Sequence, residues 1–251
     1  MRFFLILLIS LITINISGNN IHPNFNLTKE DINEIMPELN NDEIYKFLTN
    51  IHMMMEENVN LILVDKNNRL SSDYIPANLI NLGDYNLHTR YKTMLFESYA
   101  LNDFVKMSED AKKEGIDIFI ASTYRSYEFQ NQIFNNMKNY HGEEKAATIV
   151  AYPGASQHQL GTAVDFGSIK PSYAYTDAGI WLLKNGWKYG FTLSYPENME
   201  EITTYMWEPW HYRYIGRYGA IIQKEYFNNV QQYLLEFWNK YKLFFEENHI
   251  H

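Results

Sequence analysis

Apolar side chains recur at helical spacing in two long stretches of the chain. Leu95, Tyr99, Phe104, Met107 and Ala111 share one register with Gly115 as the stop, which predicts a helix over residues 94–114. Leu234, Leu235, Phe237, Trp238, Tyr241 and Phe244 give a second helix, over 230–247, an aromatic stripe suited to core packing. Shorter helices are expected over 127–140 with Ser126 as cap, over 143–151 ahead of Pro153-Gly154, and over 176–188. Another is expected around 30–50, broken at Pro37. Apolar or aromatic runs at 61–64, 116–122, 163–166, 190–193 and 210–214 read as strands, and residues 82–88 as loop. Helices packed around a small, mainly antiparallel sheet make an α+β domain.

Composition narrows the setting. Arg2 followed by an apolar run from Phe3 to Ile14 has the form of a signal peptide, too short for an ordinary membrane span. Ser17 and Gly18 offer small residues for cleavage, and an uncleaved anchor is the alternative. The chain has no cysteine, so it has neither a disulfide framework nor a lipoprotein attachment site. An exported protein without disulfides fits a bacterial cell envelope. The formal charge of −9 becomes −10 without Arg2, and no basic cluster stands against it. That excludes nucleic acid as the expected partner, because phosphate binding needs grouped Lys and Arg. It also leaves a membrane as partner only if the N-terminal segment is uncleaved. With 46% hydrophobic residues the chain can bury one sizeable core. The expected division is a signal peptide over 1–18, a spacer or packed arm over 19–56, a catalytic domain over 57–225 and an amphipathic helix over 226–251.

The chemistry concentrates in two short blocks, Ser156-Gln157-His158-Gln159-Leu160-Gly161-Thr162-Ala163-Val164-Asp165 and Glu208-Pro209-Trp210-His211. They hold the set needed for an open zinc site with its own general base: three N or O ligands and a carboxylate to take a proton from water. His158, Asp165 and His211 are the candidate ligands and Glu208 the candidate base. The spacing from His158 to Asp165, interrupted by Gly161, does not match one helix face; it suits a loop that turns at Gly161 and enters a strand. Pro209 keeps the Glu208–His211 pair off a helix, so their separation by three does not put them on one side automatically. The remaining histidines, His22, His52, His88, His141, His249 and His251, lack any partner pattern and read as ordinary surface or core residues.

These motifs resemble those of the VanY-type D-alanyl-D-alanine carboxypeptidases, bacterial zinc peptidases that trim peptidoglycan stem peptides. Ser156, His158, Gly161, Ala163 and Asp165 match the family's Ser-x-His-x-x-Gly-x-Ala-x-Asp pattern. Glu208, Pro209, Trp210, His211, Arg213, Tyr214 and Gly216 match its Glu-Pro-Trp-His-x-Arg-Tyr-x-Gly pattern. Ser122, Tyr124, Arg125 and Ser126 match a third block, a strand ending in Ser-x-Tyr-Arg-Ser, and Leu63 to Asn68 echo a softer one. The resemblance runs from about residue 58 to 225.

It implies the fold shared by these peptidases and the Hedgehog signalling domain. It further implies that His158, Asp165 and His211 hold Zn2+ and that Glu208 activates water. Arg125 corresponds to the arginine that polarises the scissile carbonyl or grips the substrate end, Ser156 to its partner at the terminal carboxylate, and Gln130 to a position near the substrate. Gln157 stands where many members carry an acid. The implied activity is removal of the terminal D-alanine from stem peptides, with no defined protein partner. An L,D-carboxypeptidase or a stem-peptide endopeptidase would use the same zinc set, and a non-catalytic zinc-bearing cell-wall module would have no need of Glu208. An acid is one partner open to Arg213, and the sequence does not identify it; Trp210 and Tyr214 are expected to pack beneath the ligand.

Overall fold

The computed structural model describes residues 20–250, so the leader or anchor expected over 1–18 lies outside the described residues. The first elements of the described residues are two capped helices. Thr28 and Asp31 form a reciprocal capping box at α1 (Lys29–Asn33), and Asn40 and Glu43 do the same at α2 (Asn41–Glu57). Pro37 falls between them, as expected. Helix α2 runs past residue 50 because Ile44, Phe47, Leu48, Ile51 and Met54 keep burying one face.

The segment expected as a strand over 61–64 pairs with no strand among the described residues. Leu61 and Leu63 are buried and Ile62 is exposed, so it has strand-like alternation without a ladder. Asp65 ends it: its Oδ1 accepts the backbone N–H groups of Asn67 and Asn68, both at 2.8 Å, which turns the chain. After it come β1 (Leu79–Asn81), a 3₁₀ turn over Leu82–Asp84 within the expected loop, the two-residue β2 (His88–Thr89) and β3 (Leu95–Glu97).

Strand β3 corrects the expected start of the long helix, which is α3 (Leu101–Lys113), followed by Gly115 at φ 79°. Leu95 and Tyr99 therefore lie outside it. The backbone of this stretch is claimed by distant partners: β3 pairs antiparallel with β1, the Leu95 carbonyl accepts Tyr124 N–H at 3.0 Å, and Glu97 N–H donates to the Gly161 carbonyl at 2.9 Å. Three tertiary attachments outweigh a helix propensity of tenths of a kcal/mol per residue. The expected strand over 116–122 is shorter, β4 (Phe119–Ser122).

Downstream the order is α4 (Tyr127–His141), capped by Ser126, α5 (Glu143–Ile149), β5 (Ala163–Phe166) and α6 (Asp177–Asn185). Then come β6 (Phe191–Leu193), α7 (Glu200–Thr203), β7 (His211–Tyr214), α8 (Arg217–Tyr226) and α9 (Gln231–Asn248). The main sheet has the order β2-β4-β5-β7-β6 and is antiparallel except for the β2–β4 pair. It is the expected α+β architecture.

Two apolar clusters hold the molecule. One joins the sheet to α3 and α6 through Phe96, Phe104, Val164, Phe166, Leu182 and Phe191. The other joins α2, α8 and α9 to the N-terminal segment through Phe25, Phe47, Ile51, Ile222, Leu234, Leu235 and Phe245. The stripe on α9 faces core, with Phe245 fully buried and Phe244 only partly so. No helix among the described residues is long and apolar enough to cross a membrane. Phe245, enclosed by Phe25, Phe47 and Phe237, gives a direct test of this second cluster. Phe245→Ala is expected to lower the unfolding free energy by about 3–5 kcal/mol, within one cooperative denaturant transition. An early, separate transition would show that the arm and α9 do not share the cooperative unit.

Candidate active site

The site forms where β5 and β7 lie side by side. Their register sets Asp165 directly opposite His211, and opposed residues on neighbouring strands have Cβ atoms about 5 Å apart. Asp165 Oδ1 lies 3.0 Å from His211 Nδ1. His158 reaches the same carboxylate from a 3₁₀ turn over Gln157–Leu160, placing Nε2 3.2 Å from Asp165 Oδ2. That turn starts at Ser156, whose hydroxyl accepts His158 N–H, and ends at Gly161 with φ 71°. A Cβ at Gly161 would come within 2.8 Å of Leu79 Cδ2, so both backbone and packing favour glycine there. Glu208 and His211 are joined by a tight turn, with His211 N–H donating to the Glu208 carbonyl at 3.0 Å and Pro209 in the second position. The turn does what spacing alone could not: it brings Glu208 Oε2 within 3.7 Å of His211 Nδ1.

Each imidazole is held from behind by an acceptor. His158 Nδ1 donates to the Thr123 carbonyl at 2.7 Å. His211 Nε2 lies 3.2 Å from Gln157 Oε1, which also accepts the Ser194 hydroxyl at 2.8 Å. Gln157 Nε2 in turn donates to Gln231 Oε1 at 3.3 Å, and Gln231 Nε2 to Thr192 Oγ1 at 2.7 Å. With the outer nitrogens carrying protons, His158 Nε2 and His211 Nδ1 present bare lone pairs, both directed at a carboxylate. Acceptors facing acceptors at 3.0–3.2 Å need positive charge between them. A divalent cation satisfies all three groups, and two neutral imidazoles with one carboxylate are a zinc donor set.

Electrostatics agree. Burial pushes His158 down to about 4, keeping its imidazole neutral at neutral pH. Burial alone would raise Asp165, but the two histidines outweigh it and hold the carboxyl well below the usual range. Burial pushes Glu208 up to about 7, a shift reinforced by Asp165 and opposed by His211 and Arg125.

Arg125 follows β4 and its N–H donates to the His158 carbonyl at 3.2 Å. Its guanidinium donates to Gln130 Oε1 at 2.8 Å and lies 3.8 Å from Asp165 Oδ2. Buried Gln130 also donates to the Ala151 carbonyl at 2.6 Å, so it braces Arg125 from α4. Arg125, Ser156, His158, Asp165, Glu208 and His211 line one cavity of about 530 Å³. Ile133, Met137, Ile149, Met206, Trp207 and Trp210 supply much of its apolar wall, so Trp210 is both core and wall. Gln130 is not among the lining residues; it sits behind the arginine.

The structure supplies the partner of Arg213 that the sequence left open. It is fully buried and makes no ion pair among the described residues; Nη2 donates to the Asn60 carbonyl at 3.0 Å, and Tyr99, Tyr195 and Tyr74 surround it. Tyr214 packs in the core and donates to Asp103 at 2.7 Å. Sequence reasoning missed Thr123, Ser194 and Gln231. Gln231 is 74 positions from Gln157, and no local pattern marks a glutamine at the start of an amphipathic helix as a partner of a ligand.

Comparison with known proteins agrees with this geometry. The family model described as D-alanyl-D-alanine carboxypeptidase, VanY, matches residues 93–217. The carboxypeptidase candidate YodJ of Bacillus subtilis is 37% identical over 190 residues, covering 70% of this chain and 69% of that protein. Among solved structures, the LD-carboxypeptidase LdcB is 35% identical, covers 71% of this chain and 85% of its own, and superposes with a TM-score of 0.63. A mutant of the vancomycin-resistance D,D-pentapeptidase VanY in complex with Zn(II) is 29% identical, covering 70% and 98%, with a TM-score of 0.58. The chain spans 57% to 83% of the lengths of four curated relatives.

The support behind His211 is open to test. Gln157→Leu is expected to weaken zinc binding about 10–100-fold, and Gln157→Glu, which keeps an acceptor, to preserve it. Equal affinity in the leucine variant, measured by chelator competition, would show that Gln157 does not orient the ligand.

Proposed function

The chain belongs to the VanY family of D-alanyl-D-alanine carboxypeptidases, and from that footing we propose that it removes the terminal D-alanine from peptidoglycan stem peptides. It is a zinc metallopeptidase of that family. The observation that carries the assignment is the convergence of two lone-pair-bearing histidines on one carboxylate, with Glu208 beside them. His158, Asp165 and His211 would hold the metal, which when bound supplies Lewis acidity, acidifying water and polarising a carbonyl.

The chain's own residues supply the rest. Glu208, within 3.7 Å of His211 Nδ1, accepts the proton of the attacking water and delivers it to the leaving amine. Arg125, braced by Gln130, receives the substrate's terminal carboxylate, and Ser156 lies in the same cavity to add a hydroxyl. The apolar walls accept methyl groups and keep water away from these charges. A buried cation at the end of the site favours a free carboxylate, hence an exopeptidase rather than an endopeptidase. The likeness to LdcB supports a second reading, an L,D-carboxypeptidase acting on the tetrapeptide. Either activity works on cell-wall material, so the protein acts outside the cytoplasmic membrane, exported to the cell envelope, with stem peptides or their precursors as its partners.

Purified protein with zinc, offered stem pentapeptide and tetrapeptide and followed by mass spectrometry, is expected to release one D-alanine from the pentapeptide, and a chelator to stop it. Release only from the tetrapeptide would establish the L,D reading instead. If neither is cut by the zinc-loaded protein, the exopeptidase proposal fails. Glu208→Ala is expected to bind as much zinc as the parent while turnover falls about 10²–10⁴-fold; His211→Ala is expected to lose one zinc equivalent together with activity. A pentapeptide with its C-terminal carboxylate amidated is expected to resist hydrolysis, and equal cleavage of the amide would show that Arg125 does not receive a terminal carboxylate.

A further inference from the structure

His52 and Glu56 in the C-terminal half of α2 converge with His249 at the end of α9, and we propose that they form a second divalent-cation site of the zinc class, which clips the N-terminal arm to the C-terminal tail. His52 and Glu56 lie four apart on α2 and so project from one face. His249 directly follows α9. One ligand atom from each of the three lies within 4.8 Å of the other two.

Two details favour a cation over a chance meeting of side chains. His52 Nδ1 and His249 Nε2 are only 2.7 Å apart, so in the metal-free protein one proton is shared between them. Zn–N bonds of about 2.0–2.1 Å in tetrahedral geometry separate two nitrogens by about 3.3 Å. Replacing the shared proton with a metal therefore asks for an opening of about half an ångström, within side-chain adjustment. The second detail is preorganisation. The tail is zipped to the arm: Asn26 N–H donates to the Asn248 carbonyl at 2.8 Å and Ile250 N–H to the Asn24 carbonyl at 2.9 Å. Phe25 pairs with His249 through a β-bridge and a ring contact at 5.2 Å. His249 is thus delivered by a fixed backbone.

Nearby His22 is not a ligand. Its Nδ1 accepts Asn24 N–H at 3.2 Å, which leaves Nε2 protonated and 3.0 Å from the Thr49 hydroxyl. Glu56 is exposed, and both Glu56 and His249 border a cavity of about 820 Å³, which gives an ion a path to the site. Two imidazoles and one carboxylate suit zinc, nickel or copper and not calcium, which takes oxygen ligands. In a chain without cysteine, such a clip closes a loop of 197 positions that no disulfide can close.

Metal-stripped full-length protein titrated with Zn2+ is the test, with bound metal counted by elemental analysis after desalting. The parent is expected to hold two equivalents and His158→Ala one. His52→Ala and His249→Ala are each expected to hold one while retaining peptidase activity within about twofold. Glu56→Gln, at an exposed position that leaves the fold intact, is expected to weaken the second equivalent at least tenfold. Zinc is also expected to raise the thermal midpoint of His158→Ala, and calcium to leave it unchanged. A parent that binds one equivalent, a Glu56→Gln variant that binds both with unchanged affinity, or equal stabilisation by calcium would each overturn the proposal.

Discussion

The contact on which the site depends is Asp165 against His211 across two hydrogen-bonded strands. A carboxylate enclosed at 5% exposure would be costly alone, because burial disfavours the charged form. It is tolerated because two imidazoles and a guanidinium face it, and because their geometry calls for a cation at the centre. Register is the controlling variable. A slip of one residue between β5 and β7 would turn Asp165 to the other face of the sheet and leave His158 with nothing to face. The flanking ladders, β4 on one side and β6 on the other, therefore serve the chemistry by fixing that register.

Around this contact the polar groups form one connected system. Gln157, Ser194, Gln231 and Thr192 run from His211 to the first turn of α9, so the last helix is both a wall of the second apolar cluster and a support for His211. Gln130 does the same for Arg125 from α4. Buried polar networks stabilise only when each member is satisfied, which makes these glutamines sensitive to substitution by apolar residues. The arm over residues 20–57 contributes at a distance, by covering α8 and α9 and so fixing the helix from which Gln231 projects.

Much of the site was legible in the linear chain, and the reason differs by residue. His158, Gly161 and Asp165 lie within one turn-and-strand unit, where the glycine, the spacing and the ligand types all carry information. Glu208 and His211 are joined by Pro209, whose fixed φ makes the tight turn. The helix expected from residue 94 failed at Leu95 to Glu97, because a strand partner at β1 and the Tyr124 and Gly161 backbones claim that stretch. The strand expected at 61–64 failed for the complementary reason: Leu61, Ile62 and Leu63 alternate, but the segment joins neither sheet among the described residues. The partner of Arg213 was not legible because an arginine can be held by a carbonyl and a set of tyrosines as well as by an acid.

By itself the sequence determined the family and most helix faces and singled out the candidate ligands and the candidate base, since the motifs that carry them are short blocks whose internal spacing survives any arrangement of the rest. The tertiary structure alone decided what stands behind those residues: Thr123 and Gln157 behind the histidines, Gln130 behind Arg125, and the meeting of His52 with His249. Those partners lie up to 197 positions away. A contact of that length depends on where whole helices pack, and helix packing follows from the summed burial of apolar faces, not from any pattern local to the residues that finally touch.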